Sequence, residues 1–177
     1  MAEILQSLRE LENIFADFVT QATGLDEKKV LISYESQGRP SFKHGEDIIF
    51  VTIFPVVDDR EQYKNRKMKY NKETDNFLEE QKSQRTLEVS IVAYGENSYK
   101  YSTLIMNAFY MPDYKLMFDR NYLFLVPDHI SGVNRVPEQF DGRWWERCDL
   151  RARFYNSVNI EINVPAFDKI DVRLEVE

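Results

Sequence analysis

The last third of this 177-residue chain alternates apolar and polar residues with a period of two, and no other feature constrains the fold as strongly. After Glu146, one parity is charged and holds Arg147, Asp149, Arg151 and Arg153, and the other is apolar and holds Cys148, Leu150, Ala152 and Phe154. The pattern returns at Ile160, Ile162 and Val164, and again, after a turn predicted over 165–169, at Ile170, Val172, Leu174 and Val176. Such alternation is typical of strands with one face in the core and one in solvent.

Helices and further strands are predicted around this sheet. Apolar residues at spacings of three and four predict an amphipathic helix over 2–22, with Gly24 as its C-cap. A second helix is predicted over 98–110, capped by Asn97 or Ser98, and is followed by a helical turn over 113–119. Further strands are predicted over 30–35, 47–56, 85–94 and 121–126. With no internal repeat and no linker, the chain is predicted to be one α+β domain over 1–177, a mostly antiparallel β-sheet flanked by two helices.

Three of these elements support more specific predictions. The strand over 47–56 is apolar on both parities, which predicts cover on both of its faces. The strand over 121–126 is predicted to be buried as well. The apolar face of the second helix is predicted to hold Tyr101, Leu104, Ile105, Ala108 and Phe109.

The scarcity of cysteine, histidine and glycine restricts the chemistry of the chain. The single cysteine, Cys148, excludes an internal disulfide, and its place on the apolar parity predicts a buried thiol. His44 and His129 are far apart and form no metal-binding motif, and glycine-rich phosphate-binding motifs do not occur. We therefore predict no cofactor and no metal. The sequence also lacks an apolar stretch of ~20 residues and a signal-peptide pattern, so no membrane partner is predicted.

Residues 58–82 differ in composition from the rest of the chain. They lack an apolar period, and 60–72 contains one acidic residue, Glu61, and six basic residues: Arg60, Lys64, Arg66, Lys67, Lys69 and Lys72. The segment 60–72 thus carries a charge of +5, and because the whole chain carries −7, the remainder carries −12. The whole stretch 58–82 lies between two strand signals and is longer than the ~12–15 residues beyond which loops are uncommon. It is therefore predicted to be a long, charged, hairpin-like arm.

Two interpretations of this arm are open. Its cations are interleaved with Tyr63 and Tyr70 and suit the backbone and bases of nucleic acid, or an acidic protein surface. Alternatively, the segment is a solvated loop without a partner. The net charge of −7 opposes tight general binding to DNA. Local positive charge on an acidic body nevertheless suits a passage for DNA, or self-assembly.

The pair Trp144-Trp145 and the charged parity that follows it are candidates for an interface. On a strand the two tryptophans face opposite sides, so that one enters the core and the other packs on a helix or on a neighbouring subunit. The row of Arg147, Arg151 and Arg153 is either an exposed ladder of ion pairs, worth ~0–1 kcal/mol per pair, or a charged surface between subunits. The sequence leaves both alternatives open.

A metal-dependent nuclease is the enzymatic alternative. The carboxylate pairs Asp58-Asp59 and Glu79-Glu80 are potential ligands for Mg²⁺, and Pro112-Asp113 and Pro127-Asp128 resemble the start of a nuclease motif. No acidic-x-Lys triplet follows either of them at a suitable place. We therefore predict that the chain is not an enzyme.

One stretch carries a resemblance to a known family. It contains Arg135, Val136, Pro137, Glu138, Phe140, Gly142, Trp144, Trp145, Glu146 and Arg147, followed by Asp149, Ala152, Arg153, Phe154 and, after an intervening Tyr155, Asn156. This series resembles the signature of phage neck or tail terminator proteins. The junction Tyr94-Gly95-x-Asn97-Ser98 is also similar to that family's passage from strand to helix.

The resemblance implies a structural virion protein. Its members form a ring, commonly a hexamer, that caps the tail tube and joins it to the neck or head connector. Implied partners are copies of the chain itself, tail tube and sheath proteins, a connector protein, and DNA that passes through the lumen without sequence-specific binding. The implied location is the neck at the top of the tail, after assembly in the host cytoplasm, and the resemblance favours a contractile tail. The residues expected at contacts between subunits or rings are Arg60, Lys64, Arg66, Lys67, Lys69, Lys72, Trp145, Arg147, Arg151 and Arg153.

Overall fold

The computed structural model describes residues 5–34, 42–72 and 76–165. Residues 2–4 of the first predicted helix, the turn predicted at 36–40 and the strand predicted at 170–176 lie outside the described residues. The predicted start of the first helix is wrong, because residues 5–7 are not helical and Ser7 caps a helix that begins at Leu8. None of the helices in these three ranges combines the length and the apolar character that a membrane span requires.

Three helices and nine strands make up the described part of the chain. The helices are α1 (Leu8–Thr23), α2 (Ser98–Ala108) and α3 (Pro112–Arg120). The strands are β1 (Val30–Ile32), β2 (Ile48–Val56), β3 (Asn65–Asn71), β4 (Asn76–Tyr94), β5 (Leu123–Ile130), β6 (Asn134–Arg135), β7 (Glu138–Phe140), β8 (Arg143–Trp145) and β9 (Arg147–Pro165). The predicted α+β class is confirmed.

The main sheet has seven strands and is antiparallel except for the pair β1–β2. Its path runs β1-β2-β4-β9-β5, with β3 added to β4 and β6 added to β9. The pairing of β4 with β9 continues without a break from Asn76↔Pro165 to Tyr94↔Arg147. These two 19-residue strands form the spine of the molecule.

Helices α1 and α2 cover one face of this sheet. The apolar parity predicted from the sequence is confirmed, because Cys148, Leu150, Ala152 and Phe154 are each at most 1% exposed. Phe15 and Phe18 of α1 pack against Phe118 and Phe154 with ring centroids 4.8–5.4 Å apart. Such tilted and edge-on contacts add to the burial of large aromatic surfaces. The core therefore lies between the helices and the part of the sheet nearest to them.

The ends of α1 follow from local sequence. The Ser7 hydroxyl accepts a hydrogen bond from the backbone N–H of Glu10, and the Glu10 carboxylate accepts one from the N–H of Ser7. This capping box satisfies backbone donors at the start of the helix. Gly24 ends the helix at φ 70° with its N–H bonded to the carbonyl of Thr20, as the sequence predicts.

Strand β2 is covered on both faces, as its sequence predicts. Ile49, Val51 and Ile53 face the helical core. Ile48 and Phe50 face the opposite side and are 4% exposed. Phe42 and Tyr94 pack against Phe50 there, with centroids 5.8 and 5.9 Å away.

Several local predictions are wrong. Leu104 is 39% exposed, whereas Ser102 is fully buried, so the inner face of α2 includes a small polar residue in place of a leucine. Strand β5 is not buried throughout, since only Leu123 is buried and Phe124 is 41% exposed. β5 lies at an edge of the sheet as the described residues form it, with strand neighbours on one side only.

The two strands predicted at 148–154 and 160–164 are one continuous strand, β9, and β4 begins at Asn76, well before the predicted start at 85. The prediction of a separate charged arm over 58–82 is not confirmed. The segment contains a short 3-10 turn (Asp59–Gln62), strand β3, and the first residues of β4. Its strands belong to the main sheet.

Candidate functional site

The spine extends beyond the helical core as a three-stranded ribbon. We define the ribbon as β3, residues 76–85 of β4 and residues 156–165 of β9. β3 pairs with β4 from Asn65↔Lys82 to Asn71↔Asn76. The hydrophobic core found among the described residues includes no ribbon residue. The ribbon is thus a surface feature built from the same strands as the core.

The predicted basic residues lie at the edge of this ribbon. Lys64, Arg66, Lys67, Lys69 and Lys72 are all exposed. Arg66 pairs with Glu79 of β4 at 3.4 Å. Arg60 lies in the 3-10 turn before β3. Lysines on an edge strand oppose unwanted pairing with other strands, so the charge also has a structural use.

The two faces of the ribbon differ in polarity. Side chains alternate along a strand, so the register of the three strands assigns each residue to one face. The face that continues the helix-covered side of the sheet holds four large, exposed apolar side chains, Met68, Tyr70, Phe77 and Ile162, at 62, 50, 37 and 42% exposure. The ion pair of Arg66 and Glu79 lies among them on the same face. The opposite face is mainly charged and holds Lys67, Lys69, Lys82, Glu80 and Glu161, together with Leu78.

The residues of the family-like signature form a hairpin that we call the clip, residues 135–147. β7 and β8 pair around Asp141-Gly142, with Phe140 opposite Arg143. Asp141 and Gly142 have φ values of 50° and 72°. Two consecutive residues with positive φ form the tight turn that suits the twist of a two-residue hairpin, and Asp-Gly is a preferred sequence for it. The clip folds over the sheet face opposite the helices.

Trp145 holds the clip against the sheet. Its ring lies 5.0–5.6 Å from those of His44 and Phe42 and 6.4 Å from those of Tyr94 and Phe140. Trp144, on the other side of the same strand, is 65% exposed. The prediction that the two tryptophans face opposite sides is confirmed.

A polar network secures the clip beside this aromatic cluster. The Tyr94 hydroxyl donates to Glu138 at 2.8 Å, and Arg147 donates to Glu138 at 2.7 Å. Arg147 also holds both carboxylate oxygens of Asp149, at 2.7 and 2.9 Å. Arg135 and Glu146 make a second bidentate pair at 2.9 and 2.6 Å. Bidentate arginine–carboxylate pairs fix orientation as well as distance.

The network shifts the titration of its members. Burial, and then the hydrogen bond to Glu138, raise the pKa of Tyr94 to about 12. Burial opposes ionisation of Glu138, but hydrogen bonds from Tyr94 and Arg147 outweigh it and hold the pKa of that carboxyl below its ordinary value. Hydrogen bonds to Asp149 raise the pKa of Arg147. Each charged group of the network has a partner of opposite charge, so we assign these groups a structural role in holding the clip.

The junction between β4 and α2 explains the glycine in the second family-like motif. Gly95 has φ 106°, and a Cβ placed there would lie 2.7 Å from the Cα of Asp47 and 2.8 Å from the carbonyl oxygen of Glu46. Asp47 in turn accepts hydrogen bonds from the backbone N–H and the side-chain amide of Asn97, at 3.0 and 2.8 Å. Only glycine fits this position without displacing the neighbouring backbone.

The arginine row shows the predicted ladder of ion pairs. Arg153 and Arg151 approach Glu88 of β4 at 3.3 and 3.7 Å. The side chain of Arg151 is 62% exposed, whereas that of Glu88 is 22% exposed. The ladder occupies the uncovered half of the face that carries the clip. Whether it also meets another subunit stays a prediction.

An apolar groove lies between α3 and β5. It has a volume of about 390 Å³ and is lined mainly by aromatic and aliphatic side chains, among them Tyr110, Phe118, Phe124, Leu125 and Pro127. Asp119 and Lys115 stand at its margin. Tyr110, Met111 and Leu116 are exposed around it by 60, 48 and 54%. Sequence analysis missed this surface, because its residues come from separate elements.

The acidic pairs considered for a metal serve other purposes. The carboxylate of Asp58 accepts a hydrogen bond from Thr86, and Glu79 and Glu80 pair with Arg66 and Lys82. Within the three described ranges, no group of three or more histidine, cysteine, aspartate or glutamate side chains could hold a metal ion. Cys148 is fully buried, as predicted.

The clip itself was also missed, although the sequence contains its signal. Asp141-Gly142 is a strong indicator of a two-residue hairpin, and residues on either side of it alternate. The sequence-based prediction contains no hairpin here: it places the two tryptophans on a strand and begins the next alternating strand at Cys148.

Two comparisons with known proteins give matches. The model of one protein family, described as phage neck terminator protein, matches residues 9–176. Among solved structures, the chain is similar to the sheath/tube terminator of an extracellular contractile injection system in its extended state. The identity is 8%, the TM-score is 0.41, and the match covers 97% of this chain and 64% of that one, which is less than two thirds of its length. No curated protein matches the chain.

Proposed function

Because the chain belongs to the phage neck terminator protein family, we propose that it forms a ring at the top of the phage tail, closes the tail tube and joins it to the neck. The observation that carries this proposal is the extent of the match, residues 9–176, which includes the core, the clip and the ribbon. The ring is expected to be a hexamer. In this proposal the protein has no catalytic role and is part of the virion after assembly in the host cytoplasm.

The surfaces of the molecule support a role in assembly. Exposed features of the described residues include the ribbon, the clip with exposed Trp144 and Phe140, and the groove beside α3. Aromatic and arginine side chains of this kind are enriched at protein interfaces. We expect these surfaces to meet neighbouring copies, tail tube and sheath proteins, and the connector protein.

The basic edge of the ribbon suits contact with DNA in the lumen or with the neighbouring ring. Lys67 and Lys69 lie on the polar face of the ribbon, away from its apolar face. Cations that contact phosphates give affinity without sequence specificity. DNA would thus pass the ring without being held at one site.

The experiment that tests the proposed function is the recovery of rings. We expect the purified protein to form a closed ring that light scattering and electron microscopy detect. The same protein should restore the joining of heads and tails in an extract from cells infected by a phage that lacks it. A chain that remains monomeric and does not restore joining would contradict the proposal. Metal-dependent cleavage of DNA, or strong salt-sensitive binding of free DNA, would instead favour the nuclease or the DNA-binding alternative.

Two sets of variants test the predicted contacts. A protein lacking residues 60–72 should fail in ring formation or joining, and normal rings with normal joining would exclude a role for the basic segment. Arg151→Ala should reduce assembly while leaving the monomer folded, because the side chain is largely exposed and its ion pair is weak. Trp145→Ala requires a parallel measurement of folding, since Trp145 packs inside the clip.

A further inference from the structure

The apolar face of the ribbon is a surface that folding of the described residues leaves open. Met68, Tyr70, Phe77 and Ile162 lie on one face of three paired strands, and each is at least 37% exposed. Strands spaced ~4.8 Å apart, with residues at ~3.4 Å, give a face of roughly 340 Å² over the length of β3. The four apolar side chains share this face with the ion pair of Arg66 and Glu79. Exposed clusters of large apolar side chains on a single chain are often interaction sites.

The ribbon cannot cover the groove of its own chain. Leu123, which lines the groove, pairs with Asn156, the first residue of the ribbon in β9. The groove therefore lies beside the base of the ribbon, and the ribbon leads away from it. The register of β4 with β9 has no break at which the strands could fold back. Only a second copy can bring a ribbon to this groove.

The two surfaces are suited to each other. Both are apolar, and both contain aromatic side chains: Tyr70 and Phe77 on the ribbon, and Tyr110 and Phe124 in the groove. Each surface also carries one charge of each sign: Arg66 and Glu79 pair at 3.4 Å on the ribbon face, and Lys115 and Asp119 line the groove. When the two surfaces join, Arg66 can meet Asp119 and Glu79 can meet Lys115.

We infer that the apolar face of the ribbon docks on the groove between α3 and β5 of the adjacent copy. The inference rests on the proposed function, since it gives the contact that would build the ring. A contact between two different surfaces of the same chain is directional, and it closes into a ring when the rotation between copies fits. The opposite face of the ribbon, with Lys67 and Lys69, remains free for another partner.

The test uses one charged variant on each surface with a matched control. Ile162→Glu places a carboxylate on the apolar face, and Asn163→Glu places the same group on the opposite face of the same strand. Tyr110→Glu changes the groove, and Tyr99→Glu changes a tyrosine of equal exposure, 61% against 60%, that does not line it. Because a buried unpaired charge is costly, Ile162→Glu and Tyr110→Glu should each raise the concentration for half-assembly by at least about tenfold. The two controls should assemble as the unchanged protein does.

Mixing the two defective variants identifies the contact. The Tyr110→Glu variant retains an unchanged ribbon, and the Ile162→Glu variant retains an unchanged groove. The ribbon of the first can therefore still dock on the groove of the second, whereas the reverse contact is defective on both surfaces. An equimolar mixture should form complexes of two chains, and nothing larger, in native mass spectrometry. Circular dichroism of each variant alone verifies that it is folded.

The possible failures are distinguishable. If the unchanged protein forms rings and Ile162→Glu or Tyr110→Glu also forms them at the same concentration, the docking inference is overturned and the terminator function stands. The same conclusion follows if both folded variants are monomeric but their mixture contains no complex, since the contact then joins other surfaces. Normal rings that fail to join tails would assign the ribbon to a tail protein instead. An unchanged protein that never forms rings would overturn the proposed function together with the inference.

Discussion

The two halves of the β4–β9 spine share one unbroken pairing, and β9 keeps the same alternation through both, yet the halves differ in what covers them. In the half nearest the helices, Leu87, Ile91 and Phe154 are at most 1% exposed. In the ribbon half, Phe77 and Ile162 occupy the same face of the same strands and are 37 and 42% exposed. Side-chain parity thus determines the face of a residue, while the elements packed on that face determine its burial.

The two halves of the spine are expected to serve different purposes, one the stability of the monomer and the other its assembly with further chains. Residues of the covered half are enclosed by the molecule's own helices and stabilise the monomer. Ribbon residues have few such contacts, so their apolar surface remains available to another chain. This distinction can be tested by comparing changes in the two halves.

Truncating an aromatic ring should reveal the largest difference. Phe154→Ala removes a fully buried ring that packs against Phe15 and Phe118, and it should lower the free energy of unfolding by about 3–5 kcal/mol. Phe77→Ala in the ribbon should cost less than about 1 kcal/mol, since surface changes seldom exceed that. Urea denaturation of the monomer measures both. Equal losses would show that the ribbon is packed as tightly as the core.

The second-largest loss of stability is expected at Gly95, which follows the covered half of β4. Gly95→Ala forces a Cβ against the backbone of Asp47 and Glu46 at φ 106°, and it should destabilise the protein by about 2–4 kcal/mol. Gly132→Ala is the matched control, because nothing lies within 4 Å of a Cβ there. Thermal unfolding followed by circular dichroism compares the two. A small effect at Gly95 would mean that the strand-to-helix junction is free to adjust.

Glu138→Ala tests how the clip covers the outer face. Removing the carboxylate takes away the acceptor of the Tyr94 hydroxyl, so the pKa of Tyr94 should fall from about 12 toward its ordinary value of 10. The fall should be partial, since burial is the larger cause of the shift. Absorbance of tyrosinate against pH provides the measurement, with Glu96→Gln as a control on an exposed carboxylate. An unchanged titration would place Tyr94 outside the network.

Acid should loosen the clip before it affects the sheet, and this is the smallest effect expected. The pKa values of Glu138 and Glu146 are lowered in the folded protein, so their contribution to stability is complete above their ordinary pKa of about 4.5. That contribution is lost as the pH falls through the lower folded values. The only two tryptophans, Trp144 and Trp145, lie in the clip, and their fluorescence should change at a higher pH than the far-ultraviolet circular dichroism of the sheet. Coincident transitions would show that the clip and the sheet unfold together.

Much of the fold could be predicted from local patterns. The spacing and the C-cap of α1, the two-sided burial of β2 and the parity of β9 each follow from neighbouring residues, because helix and strand periodicities are local properties. The start of α1 was predicted at residue 2, whereas the helix begins at Leu8. The predictions failed where contacts between residues far apart in the sequence determine which side chains are buried. Leu104 is exposed and Ser102 is buried because the orientation of α2 depends on the sheet beneath it. Sequence spacing alone does not contain that orientation.

The candidate site was predictable in part. The basic residues and the signature residues were identified by composition and by resemblance, and Asp141-Gly142 would have revealed the clip. The partners within the network, such as Tyr94 with Glu138, lie 44 residues apart in the chain and meet only through the register of the sheet. The groove has the same origin, because its walls come from the two residues after α2, from α3 and from β5.

The sequence by itself determined that this chain forms an antiparallel sheet with helices, has one segment of net positive charge in an otherwise acidic chain, and resembles the phage neck terminator proteins. Tertiary structure alone decided which half of the spine is covered, and therefore which apolar residues belong to the core and which remain on the surface. The physical reason is that alternation specifies direction relative to the sheet, whereas burial depends on the elements that pack against it. In this protein the same strand pattern yields a core at one end and an exposed apolar surface at the other.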